Sequence, residues 1–402
     1  MTVQGSSPIK YTPAPPSPSV TVPEFRALLK GRPVVLAELP DGSTAWLVSG
    51  YEQTRQMAVD PRFSRALAVS SDRAQQGFEA FAAGSISGID PPEHTRLRKL
   101  VSKAFTARRV EALRPRVANI VDELIDALLD QPQPADLVTA FSLPLPVQVI
   151  CEMLGVPTED MAQFHTWSDT VLGDWERNSD DVMSAAVEMF TYFGKLIEMK
   201  RSQPADDLMT ALIAARDQDD RLSEEELMVL GCTILIGGHE TTANEINLSL
   251  LTLLDHPAEL AKLRADPDLI PGAVEEFLRY VRLGGLVPAR VTREEVQIGD
   301  VTIPAGETVI PLFGTANRDP SVFTDPDRFD VTRAPANHLG FGFGVHHCLG
   351  AQLARMELQE AFRGLLGRVP GLRLAVPAEQ LRFKHGIAVH SLCELPVTWD
   401  VP

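Results

Sequence analysis

The chain has 402 residues, of which 44% are hydrophobic, so it is long enough for one large globular domain with a sizeable core. Its formal net charge of −17 argues against nucleic acid as a partner, because neutralising phosphates needs a cationic surface. The cysteines Cys151, Cys232, Cys348 and Cys393 lie far apart, which argues against a disulfide framework and predicts a reducing, cytoplasmic setting.

The N-terminal segment, residues 1–23, is predicted to be an extended, flexible lead-in. The segment has five prolines from Pro13 to Pro23 inclusive, and it lacks the charged start and apolar core of a signal peptide. The longest apolar run, residues 227–238, is too short to cross a bilayer. We therefore expect a soluble protein with no membrane partner, in which residues 24–402 form a single domain.

A basic stretch lies between Arg96 and Arg116, where eight basic residues accompany a single acid, Glu111. In an acidic protein such a stretch could steer an acidic partner to the surface. It is equally compatible with the solvated face of a helix. The sequence alone leaves both interpretations open.

Helical periodicity dominates the rest of the chain. Residues 118–130 carry one apolar stripe with acids opposite, which is typical of a core helix. A second helix is predicted to open at Ser223, with Glu226 completing a capping box, and to end at His256. At about 32 residues it would be roughly 48 Å long and would cross the whole domain.

Strand signals are fewer and cluster between residues 290 and 312. Apolar residues alternate there with turn residues at 299–300 and 305–306. The expected fold class is therefore mainly α, in a single domain with a small β-sheet region.

Residues 338–354, HLGFGFGVHHCLGAQLA, concentrate glycines, three histidines and a cysteine. A dinucleotide-binding glycine loop is one reading, but Val345 and His347 stand where its third glycine is needed. A zinc site is another, but adjacent ligands rarely converge on one ion and a second Cys or His pair is missing. The third reading is a thiolate at Cys348, at the start of a predicted helix, presented to another metal centre such as haem iron.

This segment resembles a known family. The pattern F-x-x-G-x-H-x-C-x-G, read as Phe341, Gly344, His346, Cys348 and Gly350, is similar to the haem-binding signature of the cytochrome P450 monooxygenases. The resemblance implies the P450 fold, a haem b cofactor and Cys348 as the iron ligand. It extends over nearly the whole chain and is closest to actinobacterial members that act in secondary metabolism.

Two further motifs resemble those of the family. Glu276 and Arg279 match its E-x-x-R motif, with Arg328 expected as the third member of that buried network. Residues 237–242, GGHETT, resemble the oxygen-activation motif. By this resemblance Thr241 would hydrogen-bond the dioxygen and Glu240 would relay protons. Two consecutive glycines weaken a helix by roughly 1 kcal/mol each and would leave a notch in it.

The resemblance also implies how the rest of the site is built. Relatives bind the two haem propionates with residues that match His94, Arg98, Arg290 and His346, a set of donors suited to carboxylates. A largely apolar substrate pocket is expected from Phe78, Ile86, Gly237, Leu286, Val287 and Ile387.

The implied activity is oxidation of a bulky, largely apolar secondary metabolite with O₂, by hydroxylation or by oxidative coupling of two carbons or rings. No flavin or iron–sulfur module is recognisable, so electrons are expected from a ferredoxin and its ferredoxin reductase. A monomer is expected. A non-catalytic haem sensor or gas carrier is the alternative, although a sensor would not need the proton relay of Glu240 and Thr241.

Overall fold

The computed structural model describes residues 8–11, 32–70, 82–103, 105–172, 179–219, 222–284, 288–334, 337–384 and 389–401. The α-helices of these residues are α1 (Tyr51–Val59), α2 (Arg65–Val69), α3 (Glu93–Val101), α4 (Ala107–Leu129), α5 (Pro144–Leu154), α6 (Met161–Leu172), α7 (Ser179–Ser202), α8 (Leu208–Asp219), α9 (Glu224–Asp255), α10 (Pro257–Ala265), α11 (Ile270–Tyr280), α12 (Phe313–Ala316) and α13 (Ala351–Arg368). The strands are β1 (Ile9–Lys10), β2 (Val34–Glu38), β3 (Thr44–Val48), β4 (Phe63–Ser64), β5 (Ala135–Asp136), β6 (Arg290–Thr292), β7 (Val296–Ile298), β8 (Val301–Ile303), β9 (Thr308–Pro311), β10 (Arg373–Leu374) and β11 (Pro396–Thr398).

The strands form small sheets beside a mainly helical body, as expected. The largest sheet has the order β1-β2-β3-β9-β6-β4, in which β3 runs parallel to β9 and antiparallel to β2. Leu47 pairs with Ile310 in this sheet, and both side chains are buried. The sheet therefore joins the N-terminal part of the chain to the predicted strand region at residues 290–312. Strands β2 and β3, of five residues each, were not identified from the sequence.

Helix α9 confirms the predicted long helix. It has 32 residues and ends before the cap residue His256. At its start the Ser223 side chain accepts a hydrogen bond from the Glu226 amide at 3.0 Å, while Glu226 Oε2 accepts one from the Ser223 amide at 2.8 Å. Two orphan amides are thereby satisfied. The helix contacts α5, α7 and α13 and is buried along most of its length, so it forms the axis of the domain.

The predicted core helix is the second half of α4. Ile120, Val121, Ile125 and Leu128 are buried on one face, which packs against α13. A Cβ atom built on Gly364 of α13 would lie 2.4 Å from Val121 Cγ1, so the absence of a side chain there permits the close contact.

The predicted lead-in needs one correction. Ile9 and Lys10 pair in parallel with β2, and Tyr11 is buried, so these residues belong to the sheet and are not flexible. Hydrogen bonds to the β2 backbone account for this order. Residues 1–7 and 12–31 lie outside the described residues. Among the described helices, none combines the length and the hydropathy that a bilayer crossing requires.

Candidate active site

A cavity of about 480 Å³ lies between helix α9, the loop before α13 and the segment that follows α11. Its lining is largely apolar, but it includes several arginines and one cysteine. The lining includes Cys348 together with four residues of α9 that lie far from it in sequence: Gly237, Gly238, Thr241 and Thr242. The predicted ligand and the predicted oxygen-activation motif are therefore brought together.

Cys348 stands two residues before the N-terminal cap of α13, and its exposed surface faces the cavity. Its amide donates a hydrogen bond to the Phe341 carbonyl at 2.9 Å, which fixes the loop. Burial raises the pKa of the Cys348 thiol, whereas the Gly350 amide, Arg98 and Arg355 act to lower it. The expected stabilisation of a thiolate at this helix start is present, but in the protein alone burial outweighs it.

The four predicted propionate ligands come together although they lie on three separate parts of the chain. Arg98, Arg290 and His346 line the cavity, and the His94 ring lies behind, with its centroid 4.3 Å from that of His346. Burial lowers the pKa of His346 to about 2, with smaller contributions from the charges of Arg290 and His94. Burial, together with Arg98, also lowers the pKa of His94.

This cluster fits a group that carries carboxylates. His94 is 2% exposed, and neither of its ring nitrogens has a hydrogen-bond partner among the described residues. Buried polar atoms are normally paired, so such orphaned nitrogens indicate a missing partner. Carboxylates would accept from these donors and would balance the positive charge of Arg98 and Arg290, both of which act to lower the pKa of His94. A cysteine sulfur in the same cavity supplies a ligand for a thiolate-binding metal such as haem iron.

The two glycines of α9 have different surroundings. A Cβ on Gly237 would meet no heavy atom within 4 Å, whereas a Cβ on Gly238 would lie 2.7 Å from Ile150 Cδ1. Gly237 therefore leaves open space beside the cavity, and Gly238 permits the close crossing of α9 and α5. The Thr241 hydroxyl donates to the Gly237 carbonyl at 2.9 Å.

Glu240 is buried and is not among the residues that line the cavity. Its Oε1 accepts hydrogen bonds from Asn244 Nδ2 at 3.1 Å and from the Ser391 hydroxyl at 3.2 Å. The carboxyl of Glu240 thus belongs to a polar network behind Thr241.

The buried E-x-x-R pair forms as predicted, but Arg328 does not complete it. Arg279 donates twice to Glu276, at 2.7 and 2.8 Å, and both side chains are 1% exposed. The third cation is Arg333, whose Nε lies 3.1 Å from Glu276 Oε2. The Arg328 side chain is 61% exposed and pairs with Asp330, because the turn at residues 325–328 directs only its carbonyl inward, towards Arg279 Nη2 at 3.4 Å.

The loop before Cys348 refines the expected role of its glycines. A Cβ on Gly340 would lie 2.4 Å from the Leu278 carbonyl oxygen, and one on Gly344, at φ +74°, would lie 2.4 Å from that of Ala58. These two glycines are therefore required by contacts with the protein itself. Phe341 and Gly350 line the cavity, as expected of this signature.

The His338 ring contacts an acidic side chain of α11. Its Nε2 lies 3.0 Å from Glu275, which also receives Arg355 Nε at 2.7 Å. Burial alone would raise the pKa of Glu275, but these two partners lower it to about 2. Arg355 in turn stacks over Phe341 at 4.6 Å. Sequence reasoning missed this network, which ties the cysteine loop to α11; within the described residues no His, Cys, Asp and Glu cluster suits zinc.

The predicted pocket residues are tested only in part. Ile86 and Gly237 line the cavity, whereas Phe78, Leu286, Val287 and Ile387 lie outside the described residues. Sequence reasoning missed two acidic residues in the lining, Glu245 and Glu357. Glu245 could have been found from its spacing, because a residue four positions after Thr241 lies on the same face of the helix.

Three residues of the basic stretch are engaged in ion pairs. Arg96 pairs with Glu226, Arg114 with Glu111 and Glu360, and Arg116 with Glu152. Four further basic residues of the stretch are exposed and make no ion pair within the described residues: Lys99, Lys103, Arg108 and Arg109. These exposed residues are compatible with a solvated helix face and with a surface that steers an acidic partner.

Comparison with known proteins agrees with this geometry. A family model described as Cytochrome P450 matches residues 147–368. The chain is 48% identical over 379 residues to nocardicin C N-oxygenase of Nocardia uniformis subsp. tsuyamanensis, covering 94% of this chain and 95% of that protein. It is 47% identical to mycinamicin IV hydroxylase/epoxidase of Micromonospora griseorubida, with 93% and 94% covered.

Solved structures show the same fold. The LnmA cytochrome P450 hydroxylase from the leinamycin biosynthetic pathway of Streptomyces atroolivaceus is 42% identical, with a TM-score of 0.90 and coverage of 97% of this chain and 100% of that one. A haem cofactor is implied by the family. The chain belongs to the cytochrome P450 family and is a P450 monooxygenase, similar to P450s of actinobacterial secondary metabolism.

Proposed function

We propose that this P450 oxidises a bulky, largely apolar secondary metabolite with O₂ and with electrons delivered by a ferredoxin and its reductase. The observation that carries the proposal is the shared cavity, in which Cys348, the cationic cluster and the Thr241 notch meet. The named relatives act on nocardicin C and mycinamicin IV, which supports a secondary metabolite as the substrate class.

The residues of the cavity divide into those that hold haem and those that handle protons. Cys348 would ligate the iron, and His94, Arg98, Arg290 and His346 would hold the propionates. Bound haem supplies the redox chemistry that activates O₂. The propionates would provide the hydrogen-bond acceptors that the His94 nitrogens lack.

Thr241 would then position dioxygen through its hydroxyl, which in the protein alone is donated to the Gly237 carbonyl. Glu240 would pass protons to Thr241 from the network that contains Asn244 and Ser391. The open space at Gly237 would accommodate part of a bulky substrate. Hydroxylation and oxidative coupling would both use this arrangement.

The electron donor would dock at the exposed residues of the basic stretch. Lys99, Lys103, Arg108 and Arg109 present positive charge on an otherwise acidic protein, which suits an acidic ferredoxin. A reducing cytoplasm is the proposed location, and the four free cysteines support it.

The carbon monoxide difference spectrum tests the proposal. The reduced protein should show the red-shifted Soret band of a thiolate-ligated haem, and Cys348→Ser should lose that band. Cys393→Ser, at another exposed free cysteine, is the matched control and should keep it. A thiolate band that survives in Cys348→Ser would show that the ligand is assigned to the wrong residue.

A further inference from the structure

Glu245 is a buried acid that faces the cavity and has no part in the roles described so far. It lies on α9, four residues after Thr241, so the two side chains project from neighbouring turns of the same face. Glu245 is 4% exposed and lines the cavity together with Thr241. Glu240, in contrast, is absent from the lining. Of the two α9 acids beside Thr241, Glu245 is therefore the one that adjoins the cavity.

The surroundings of Glu245 favour its neutral form. The Ser249 hydroxyl donates a hydrogen bond to Glu245 Oε1 at 3.2 Å, and within the described residues no salt bridge to Glu245 is found. Burial raises the pKa of Glu245 to about 8, and the Ser249 hydrogen bond opposes this rise. Neutral pH therefore favours the protonated form of Glu245.

A second acid, Glu357 of α13, lines the same cavity. It is 1% exposed, and neither carboxyl oxygen has a hydrogen-bond partner among the described residues. Burial raises its pKa well above the ordinary value. The other titratable groups in the lining are Tyr11, Arg65, Arg98, Arg282, Arg290, His346 and Cys348. The pKa shift of Glu245 depends on burial and on the Ser249 hydrogen bond. Neither Glu357 nor these other titratable groups contribute to it.

We propose that Glu245 is a proton-holding residue of the cavity, which donates its carboxylic proton to an oxygen atom bound beside Thr241. The inference rests on the proposed monooxygenase function. In the step the O–H bond of Glu245 breaks, its electron pair stays on the carboxylate, and the acceptor oxygen gains the proton. No electrons are exchanged, and water returns the proton to Glu245 afterwards. The Ser249 hydroxyl stabilises the carboxylate that is formed.

The raised pKa of Glu245 suits a proton donor that works at neutral pH. A proton donor works best when its pKa lies near the operating pH, because it is then both protonated and able to release the proton. An ordinary exposed glutamate would already be ionised at neutral pH. Burial on the cavity side of α9 raises the pKa of Glu245, so this glutamate can keep its proton at neutral pH.

Infrared spectroscopy of the ferric holoenzyme tests whether the proton is there. The difference spectrum between the wild type and Glu245→Gln at pH 7 should contain the carbonyl stretch of a protonated carboxyl, which shifts in D₂O. The band should titrate with a midpoint near pH 8. In Ser249→Ala the midpoint should move upward, since the lost hydrogen bond favoured the carboxylate. Glu357→Gln is the control for band assignment and should leave the Glu245 band in place.

Turnover with a surrogate ferredoxin and reductase tests whether the proton is used. Glu245→Gln is nearly isosteric and should slow proton-dependent O₂ consumption by at least ~10-fold, with a larger solvent deuterium effect. A retained thiolate band with carbon monoxide shows that the site of the variant is intact, whereas absence of the band in the wild type would indicate failure of the proposed function instead. The inference is overturned by the absence of a protonated Glu245 band at pH 7, or by unchanged turnover and isotope effect in a variant that keeps the thiolate band.

Discussion

Gly237 and Gly238 are neighbours in α9, but their missing side chains have different consequences. Gly237 adjoins open space, so an added methyl group would extend into the cavity. Gly238 lies against Ile150, where an added methyl group would force the side chain of α5 to move. Only Gly237 is thus free to determine the room available to a substrate.

These contacts predict opposite effects of the same substitution. Gly237→Ala should stabilise the protein by up to about 1 kcal/mol, because alanine favours the helix, and should weaken the binding of bulky ligands. Gly238→Ala should be less stable than Gly237→Ala by about 1–3 kcal/mol, because it overpacks the crossing with Ile150. Urea unfolding and spectral titration measure the two effects. Equal stabilities of the two variants would contradict the assigned contacts.

At the scale of elements, a buried ion network joins α11 to the irregular segment before the cysteine loop. Arg279 donates to Glu276 and also to the carbonyls of Asn317 and Pro326, at 2.9 and 2.8 Å. Arg333, which lies further along this segment, pairs with the carboxylate of Glu276. Because two cations and several carbonyls are satisfied together, the segment is held in one conformation.

The network can be tested with two arginines that lie five residues apart. Arg333→Ala removes a partner of the buried Glu276 and should cost about 1–3 kcal/mol of the free energy of unfolding. Arg328→Ala removes an exposed side chain and should stay within about 0.5 kcal/mol of the wild type. Chemical denaturation of both variants is the measurement. If Arg328→Ala lost more stability than Arg333→Ala, Arg328 would be the third member of the network, as first expected.

The sequence could place Glu276 and Arg279, because their spacing on a helix depends only on the helical repeat. It could not distinguish Arg328 from Arg333, because the choice depends on how a non-helical segment turns. The same limit applies to the neighbouring residues Thr241, which lines the cavity, and Glu240, whose carboxyl turns away from it. A helix position fixes the face of a residue, but its partners come from other elements, such as Ser391.

For the whole molecule, the distribution of charge is as important as its total. The chain carries a net charge of −17, yet part of the basic stretch is exposed and makes no ion pair within the described residues. Such a patch attracts an acidic partner over a distance that depends on salt. Electron delivery should therefore be governed by the exposed residues and not by the arginines already bound to glutamates.

Charge reversal tests this expectation. The combined change Lys99→Glu, Lys103→Glu, Arg108→Glu and Arg109→Glu should slow reduction by an acidic ferredoxin by ~10-fold or more at low salt, with a smaller effect at high salt. Arg382→Glu, at an exposed arginine outside the stretch, is the control. Stopped-flow reduction under carbon monoxide gives the rate. A reduction rate that the fourfold change leaves untouched would refute docking at this patch.

By itself, the sequence determined the mainly helical class, the bounds of α9 and the signature around Cys348, because these depend on short-range periodicity, capping and motif spacing. Only the tertiary structure decided that His94 and His346 lie together, that Gly237 and Gly238 differ, that Arg333 completes the ion network and that Glu245 faces the cavity. These properties depend on contacts between residues far apart in the chain. They arise only when the helices pack around the cavity, and the same packing buries Glu245 and raises its pKa.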